Sequence, residues 1–342
     1  MYRLVQRRGI IGLFCLLFVA SSVVPGWAQK DNRFEVSKNL DIFNSLLKEV
    51  EMFYVDSVDV DKTVQRGIEA MLAGLDPYTE YYPEQKTEEL SLMTTGEYGG
   101  IGSLIRQRNN EGGVMIAEPT EGMPADLAGL KPGDLILAID TIDVSKATNS
   151  RVSELLKGVP NTKMVLTIQR PGEKKPRKFE ITRKQITTPQ VTYYGVKNDS
   201  IGYIYLKAFT IKSAQEVKEA FLDLKKNHNI KSLVLDLRGN GGGVLEGAVQ
   251  IVGMFVPKGS EVLSTKGKIK QWDRTYRTST EPLDTVMPLA ILINGGTASA
   301  AEIVSGSLQD MDRAVLVGQR SFGKGLVQAP RDLPYNGKVK IT

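Results

Sequence analysis

The chain has 342 residues, of which 41% are hydrophobic and 24% are charged, so it can bury real cores and is neither disordered nor collagen-like. At about 150 residues per domain, this length predicts two or three domains. The formal net charge of +5 drops by three, to +2, without Arg3, Arg7 and Arg8 at the start of the chain. A chain so close to neutrality lacks the field that attracts phosphates, which argues against a nucleic-acid partner.

Residues 1–28 have the pattern of a secretory signal peptide. Three arginines precede an apolar run at residues 10–20, and small residues end the segment at Ala28. We therefore expect an exported protein, with an uncleaved signal that keeps it near the membrane as the alternative. The only cysteine, Cys15, lies in this segment, so cleavage would leave no thiol nucleophile, no disulfide and no zinc-thiolate site.

Residues 29–94 are predicted to form a helical region with two amphipathic helices. Apolar residues recur there at three- and four-residue spacing, namely Phe43, Leu46, Leu47, Val50 and Tyr54, then Val64, Ile68, Met71 and Leu72. Asp61 is the expected cap of the second helix, and Gly74 is its expected stop. Two such helices cannot bury their apolar faces alone, so they pack on a neighbouring domain or form a dimer contact.

Residues 95–186 change to short apolar strands separated by glycine and polar turns. The predicted strands are 98–105, 114–117, 135–139, 164–169 and 178–181, and the predicted helices are 124–128 and 149–156. This region resembles a PDZ domain through the loop Gly99-Gly100-Ile101-Gly102 and the stretch PADLAGLKPGDLILAIDTIDV. Amides in such a loop can bind a terminal carboxylate, and the following strand offers an edge to a peptide. The alternative is that the glycines only permit a tight turn.

Residues 187–342 alternate between strands and helices, which predicts an α/β core. The strands are expected at 201–206, 232–237, 289–293 and 314–318, and the helices at 213–226, 245–255 and 298–308. A glycine loop at 238–243 follows the second of these strands.

Ser299 is a candidate nucleophile in this core. It follows a buried strand and the turn Asn294-Gly295-Gly296, in the predicted first turn of a helix, where unpaired amides and the helix dipole favour developing negative charge. Thr297 is the expected helix cap. Small residues at the start of a helix also serve close packing, so this position alone does not decide the role of Ser299.

A nucleophilic serine needs a base, and the only histidine is poorly placed for that role. His228 lies in the charged segment KKNHN at the end of an amphipathic helix, which argues against a Ser-His-Asp triad. Lysine is the remaining choice. Lys324 stands between Gly323 and Gly325, at the mouth of a predicted apolar strand, where neither a helix nor solubility explains it.

The two segments GGTASAAEI and GQRSFGKGLVQ, around Ser299 and Lys324, resemble the carboxyl-terminal processing peptidases, or tail-specific proteases. The segments DLRGNGGG at 236–243 and LDPYTEYY at 75–82 match the same family, in the same order along the chain. The resemblance implies that Ser299 is the nucleophile, Lys324 the general base and Gln328 the residue that supports the lysine. It also implies an oxyanion hole formed by the amides of Ala300 and Gly242.

A lysine base must be neutral, so the pKa of Lys324 has to fall from about 10.4 to near 7, which burial would have to supply. No metal or organic cofactor is expected, because no cluster of histidine, cysteine or carboxylate has ligand spacing.

The resemblance implies a multidomain α+β protein. Its parts are a signal peptide at 1–28, an N-terminal helical region at 29–94, a PDZ domain at 95–186 and a protease core at 187–342. The PDZ domain would be a β-sandwich or barrel with two helices, and the core an α/β fold like those of ClpP and crotonase. Family members continue well beyond the lysine motif, so the core is expected to be incomplete at its C-terminal end.

The implied function is that of an exported serine endopeptidase in the periplasm or cell envelope of a bacterium. Its partners would be proteins or peptides with free C-termini, with a homodimer or an adaptor protein as further options. The leading alternative is an inactive PDZ adaptor with a degenerate or truncated core. A phosphate-binding loop at GQRSFGKG is disfavoured, because Gly325 replaces the hydroxyl that would hold magnesium.

Overall fold

The computed structural model describes residues 32–108 and 112–342, so the predicted signal peptide lies outside the described residues. The chain divides into two compact units, Met1–Met71 and Leu72–Thr342. Helices α1 (Arg33–Phe53) and α2 (Val60–Ala73) begin in the first unit, as the apolar spacing predicts. Asp59 rather than Asp61 caps α2, because its carboxylate accepts the amide of Lys62. No helix within the described ranges is both long and apolar enough to span a membrane.

After α2 the chain forms β1 (Glu80–Tyr82) and α3 (Thr87–Thr95), which precede the PDZ region. The elements of the PDZ region are β2 (Glu97–Gly100), β3 (Ser103–Gln107), β4 (Val114–Pro119), α4 (Pro124–Leu127), β5 (Leu135–Ile139), β6 (Ile142–Asp143), α5 (Asn149–Leu156), β7 (Lys163–Gln169), β8 (Arg177–Thr182) and β9 (Lys184–Thr187). They form an antiparallel sheet with strand order β3-β4-β5-β7-β8, in which β6 pairs with β5, and a separate ribbon pairs β2 with β9. Alternating residues such as Ile116, Ile136 and Leu166 point inward and are fully buried.

The single strand expected at 98–105 is wrong, because the chain breaks there into β2 and β3. Ile101 and Gly102 separate the two strands, and Gly102 has φ +65°. That left-handed conformation suits glycine and cannot continue a strand. The break puts the end of β2 and the start of β3 around the predicted carboxylate-binding loop.

The elements of the α/β core are β10 (Val191–Lys197), β11 (Ile201–Leu206), α6 (Ser213–His228), β12 (Ser232–Asp236), α7 (Leu245–Gly253), β13 (Glu261–Thr265), β14 (Arg274–Arg277), β15 (Leu289–Ile293), α8 (Ala300–Asp310) and β16 (Val315–Gly318). Five of its strands form a sheet in the order β10-β11-β12-β15-β16, which is parallel except for the β10–β11 pair. Phe209, Phe221 and Phe255 lie fully buried in the core between sheet and helices. Because β12 and β15 are parallel, the glycine loop and Ser299 follow them at the same edge of the sheet.

A third sheet joins β1 to two strands that are distant in sequence, β17 (Ala329–Asp332) and β18 (Lys338–Ile341). The strand order is β1-β18-β17. Strands β17 and β18 are antiparallel, and β18 pairs with β1 through Glu80 opposite Lys340. The motif LDPYTEYY therefore meets the C-terminal strands. The domain boundaries expected at 94/95 and 186/187 stay predictions.

The apolar strand expected directly after Lys324 is wrong. Residues 319–328 form neither helix nor strand, and β17 begins only at Ala329. Leu326 and Val327 are exposed rather than buried, and Gly323 has φ +85°. Two flanking glycines therefore let the segment around Lys324 follow an irregular path.

Candidate active site

Ser299 occupies a sharp turn between β15 and α8. It is the residue immediately before α8 and has φ +56° and ψ −119°. This conformation strains the backbone of a residue that has a side chain. Strained strand-to-helix turns of this kind carry the nucleophile in other hydrolases. Ser299 therefore lies at the N-terminus of α8, the positive end of the helix dipole.

Thr297 is not the cap of this helix, which corrects the expectation from sequence. It is fully buried, its hydroxyl donates to the carbonyl of Leu237 at 2.8 Å, and it accepts the amide of Asn294 at 2.9 Å. It therefore fastens the end of β15 to the end of β12. Ser299 itself takes the capping position.

The glycine loop is held beside Ser299 by a buried asparagine. The side chain of Asn240 accepts the amide of Gly242 and donates to the carbonyl of Leu206, both at 2.9 Å. The backbone carbonyl of Asn240 accepts the amide of Ala298 at 2.9 Å. A Cβ built on Gly242 would lie 2.7 Å from the Cβ of Ser299. Gly242 also has φ +95°, so close approach and conformation both require glycine there.

The two predicted oxyanion donors differ in availability. The amide of Ala300 has no hydrogen-bond acceptor among the described residues, as expected for the first residue of a helix. The amide of Gly242 is already engaged with Asn240 in this conformation. Within the same described ranges, the neighbouring amides of Gly241 and Gly243 have no acceptor. The structure thus leaves Ala300 free to stabilise an oxyanion, and Gly242 only if its bond to Asn240 opens.

Glu302 connects the serine to the segment that carries the lysine. Its Oε2 accepts the amides of Ser299 at 2.8 Å and Lys324 at 2.9 Å, and its Oε1 accepts the Ser321 hydroxyl at 2.7 Å and the Gly323 amide at 2.6 Å. Burial of the carboxylate opposes its charge, but these hydrogen bonds outweigh burial and hold the pKa of Glu302 below its usual value. One carboxylate therefore positions the backbone on both sides of the candidate dyad.

The ammonium group of Lys324 lies over an aromatic ring. Its Nζ is 4.4 Å from the centre of the Tyr78 ring, and the side chain is half-buried. Burial lowers the pKa of Lys324, and the nearby charge of Lys340 lowers it further, against the opposing effect of Glu80 and Asp76. The direction of the shift is the one that a lysine base requires.

The structure brings some of the predicted residues together and leaves others apart. Ser299 and Lys324 share an oxygen of Glu302 through their amides, but among the described residues no hydrogen bond joins their side chains. Gln328 donates to Oγ1 of Thr342 at 3.1 Å instead of contacting the lysine. The catalytic, supporting and oxyanion roles assigned to these residues stay predictions.

His228 is placed as the sequence argument expects. It ends α6, before β12, whereas Ser299 follows β15. Because β12 and β15 are parallel, the two residues lie towards opposite edges of the sheet. Nε2 of His228 lies 3.8 Å from the carboxylate of Asp223 on the same helix.

Two residues of this site escaped the sequence argument. Glu302 could have been found, because a serine followed three residues later by glutamate at a helix start is the capping-box spacing. Tyr78 gives no such signal, because its meeting with Lys324 depends on how β1 pairs with β18.

The PDZ loop offers unpaired amides beside an open strand edge. The carbonyls of Ile101 and Gly102 accept the amides of Ala125 and Thr120, but in the described part of the chain their own amides donate to no acceptor. Gly99 and Gly100 belong to β2, which pairs with β9. Strand β3 pairs only with β4 in the same described residues, so one of its edges is open, next to helix α5.

Metal ligands are not clustered in the described ranges: no group of three or more histidine, cysteine or acidic side chains there could hold a metal ion.

Comparison with known proteins supports the resemblance seen in the motifs. The sequence profile of Peptidase family S41 matches residues 200–342, and a PDZ domain profile matches residues 115–170. The chain is 35% identical over 330 residues to the carboxy-terminal-processing protease of Bartonella bacilliformis, covering 96% of this chain and 74% of that protein. It is 33% identical over 308 residues to the "Probable CtpA-like serine protease" of Staphylococcus aureus, covering 89% of this chain and 60% of that protein.

Among solved structures, the photosystem II D1 C-terminal processing protease aligns with 30% identity and a TM-score of 0.46, covering 86% of this chain and 79% of that chain. The chain thus spans 60% to 74% of the length of the two sequence relatives named above. The family and the multidomain α+β fold expected from the sequence are confirmed. This chain belongs to the carboxy-terminal processing proteases of peptidase family S41, a family of serine-type peptidases, and it contains a PDZ domain.

Proposed function

We propose that this protein is an exported serine endopeptidase that cleaves peptide bonds with Ser299 and Lys324 and recognises free C-termini through its PDZ domain. One observation carries the catalytic part of the proposal. Ser299 lies on a strained turn at a helix N-terminus, and its amide shares one oxygen of Glu302 with the amide of Lys324. The carboxylate of Glu302 thus links the chain segment that carries the proposed nucleophile to the segment that carries the proposed base.

The proposed reaction begins with Lys324 in its neutral form. Its amine takes the proton of the Ser299 hydroxyl while the oxygen attacks the peptide carbonyl carbon. The oxyanion that forms is stabilised by the free amide of Ala300 at the start of α8. The ammonium of Lys324 then protonates the leaving amine, and water hydrolyses the resulting ester by the reverse use of the same base.

The lysine must change its direction for this reaction. Its Nζ now lies over Tyr78, and its segment is an irregular stretch between β16 and β17. A four-carbon side chain can swing on such a segment without moving the core. Gln328 would support the neutral amine once it gives up its bond to Thr342.

The PDZ part of the proposal rests on the unpaired amides of Ile101 and Gly102 and the open edge of β3. A terminal carboxylate would bind the amides, and the peptide would extend along the strand. Fluorescence anisotropy should show at least tenfold weaker binding for a C-terminally amidated peptide than for the free acid with an apolar last residue. Equal affinity would mean that the loop is only a turn.

Export, and with it a place in the periplasm or cell envelope of a bacterium, is supported by the signal-like pattern of residues 1–28. Fractionation of cells that produce the protein tests this, with Arg3, Arg7 and Arg8 changed to glutamate as the comparison. Recovery of the parent protein in the cytoplasm would contradict export, and equal export of both forms would show that the three arginines do not direct it.

The test of activity is incubation of the purified protein with an unstructured protein substrate, followed by mass spectrometry of the products. We expect cleavage by the parent protein and none by Ser299→Ala. Equal cleavage by both would contradict the proposal. Peptide binding by the PDZ domain without any cleavage would favour the inactive adaptor, which the joint presence of Ser299, Lys324 and their Glu302 link argues against.

A further inference from the structure

A rigid turn brings Tyr78 to Lys324. The carboxylate of Asp76 accepts the amides of Tyr78 and Thr79, at 2.7 and 2.8 Å, and the hydroxyl of Thr79 at 2.8 Å. Thr79 is buried, and β1 begins at the next residue and pairs with β18. The ring of Tyr78 therefore projects from a fixed stretch of backbone.

We propose that Tyr78 is a positioning residue for Lys324: the face of its ring binds the ammonium form of the lysine and so sets where the protonated side chain rests and how tightly it holds its proton. This inference rests on the proposed function for the role of Lys324 as a base. The ring acts on the lysine, not on the substrate.

The contact has the geometry of a cation–π interaction. The distance of 4.4 Å from Nζ to the ring centre is well within the 6 Å or so over which the negative face of an aromatic ring attracts a cation. No carbonyl or carboxylate of the described residues hydrogen-bonds this Nζ, so the ring is its direct partner there. A neutral amine gains little from the same face, so the ring favours the protonated state.

Other charges also act on Lys324, and their directions differ. The ammonium of Lys340 on β18 disfavours a second positive charge, whereas Asp76 and Glu80, on the turn and on β1, favour it. Burial of the lysine opposes the charged form. The ring therefore offsets part of the effect of burial and of Lys340.

The ring acts on the resting state of the free enzyme. To take the proton of the Ser299 hydroxyl, Nζ must be neutral and must leave the face of Tyr78. A ring that binds the ammonium therefore favours the protonated resting form and raises the pH at which the free enzyme becomes active. Weakening the ring should therefore move the pH profile, which a purely structural role would not do.

Isosteric changes of the ring give the sharpest test. Phenylalanine at position 78 keeps the ring face, and progressively fluorinated phenylalanines, ending with pentafluorophenylalanine, weaken its electrostatic attraction without changing its shape. Tyr78→Leu removes the face altogether. Tyr193→Leu is the matched control, because Tyr193 lies under Lys197 at 5.0 Å in a surface cation–π contact away from Ser299 and Lys324.

Two readouts are needed. The first is the pH dependence of kcat/KM on an unstructured substrate. The second is the pKa of Lys324 from NMR of protein labelled with ¹³C at the lysine ε-carbon, with Lys324→Arg identifying the signal. The second readout requires no proteolysis, so it tests the ring even if the protein cleaves nothing.

We expect Tyr78→Phe to keep the parent midpoint. Full fluorination and Tyr78→Leu should lower both the pKa of Lys324 and the rising limb of the profile by about 0.5 to 1.5 pH units. Tyr193→Leu should change neither. A Lys324 pKa unmoved by fluorination would overturn the inference even if cleavage proceeds, whereas a shifted pKa without cleavage would overturn the proposed function and leave the role of the ring intact.

Discussion

The two halves of the candidate site are built differently. On the nucleophile side, Ser299 is held at an unfavourable φ by buried groups, chiefly Asn240 and Thr297, which join the ends of three core strands. On the base side, Lys324 lies in an irregular, largely exposed segment that is anchored by Glu302 and Tyr78. Strain persists only where the surroundings over-determine it, so it is found in the rigid half.

The difference in rigidity matches the different requirements of a nucleophile and a base. In the proposed mechanism, the attacking oxygen and the oxyanion donors need fixed geometry, which the buried half would supply. The proposed base would carry a proton from the serine to the leaving amine, and an adaptable side chain on a tethered segment can do that. Substitutions in the two halves should therefore differ in what they change.

The largest effects are expected at the dyad itself. Ser299→Ala and Lys324→Ala should each lower kcat/KM on an unstructured substrate by about a thousandfold or more. The first removes the proposed nucleophile, and the second removes the proposed base that transfers the proton. Circular dichroism should show that both variants still fold. His228→Ala is the control and should change the rate by less than about twofold. Near-normal turnover in Lys324→Ala would remove the lysine from the mechanism.

Asn240→Ala should break the rigid half. The substitution leaves the amide of Gly242 and the carbonyl of Leu206 without their partner in a fully buried place, which costs about 2 to 3 kcal/mol of unfolding free energy. Activity should fall by about a hundredfold, since the glycine loop would no longer be held in its position beside Ser299. Chemical denaturation measures the stability change. An unchanged midpoint would mean that the loop is fixed by other contacts.

Glu302→Gln should loosen the base half while sparing the core. Hydrogen bonds to a charged acceptor contribute about 1.5 to 3 kcal/mol, so loss of the carboxylate should lower kcat by about 10- to 100-fold. The denaturation midpoint should move less than in Asn240→Ala. If Glu302→Gln instead destabilised the protein as strongly as Asn240→Ala, the base half would be as important for the stability of the core as the nucleophile half.

The same contrast decides what the sequence could predict. Strands β5, β11 and β15 and helix α5 have the bounds expected from apolar periodicity, because each is a regular element with a buried face. The turn that carries Ser299 was also predictable, from a buried strand followed by glycines and small residues.

The base half was less predictable, for a physical reason. The strand expected after Lys324 does not form, and neither Glu302 nor Tyr78 could be assigned to the lysine from spacing. An irregular segment has no periodicity, and its contacts depend on the pairing of β1 with β18, which joins opposite ends of the second unit. The poor placement of His228 and the glycines beside Lys324 indicated this lysine, and the resemblance to a family implied its role, but neither showed what surrounds it.

The smallest predicted effect is a shift in pH rather than a loss of rate. Lys340 donates to Glu80 at 2.5 Å, and its charge lowers the pKa of Lys324. Lys340→Gln removes that repulsion and frees Glu80 to attract the Lys324 ammonium, so both changes raise the pKa of the base. In the proposed mechanism the neutral lysine is the active form, so the rising limb of kcat/KM should move to higher pH, by about 0.5 unit, with an unchanged plateau.

Lys338→Gln is the matched control for this shift, because Lys338 lies on the same strand β18 but pairs with Asp332. It should leave the midpoint where it is. Raising the salt concentration should shrink the shift in Lys340→Gln, as expected for partly exposed charges. A shift to lower pH, or an equal shift in Lys338→Gln, would mean that Lys340 does not set the proton affinity of Lys324, and that the irregular half of the site is tuned by other contacts.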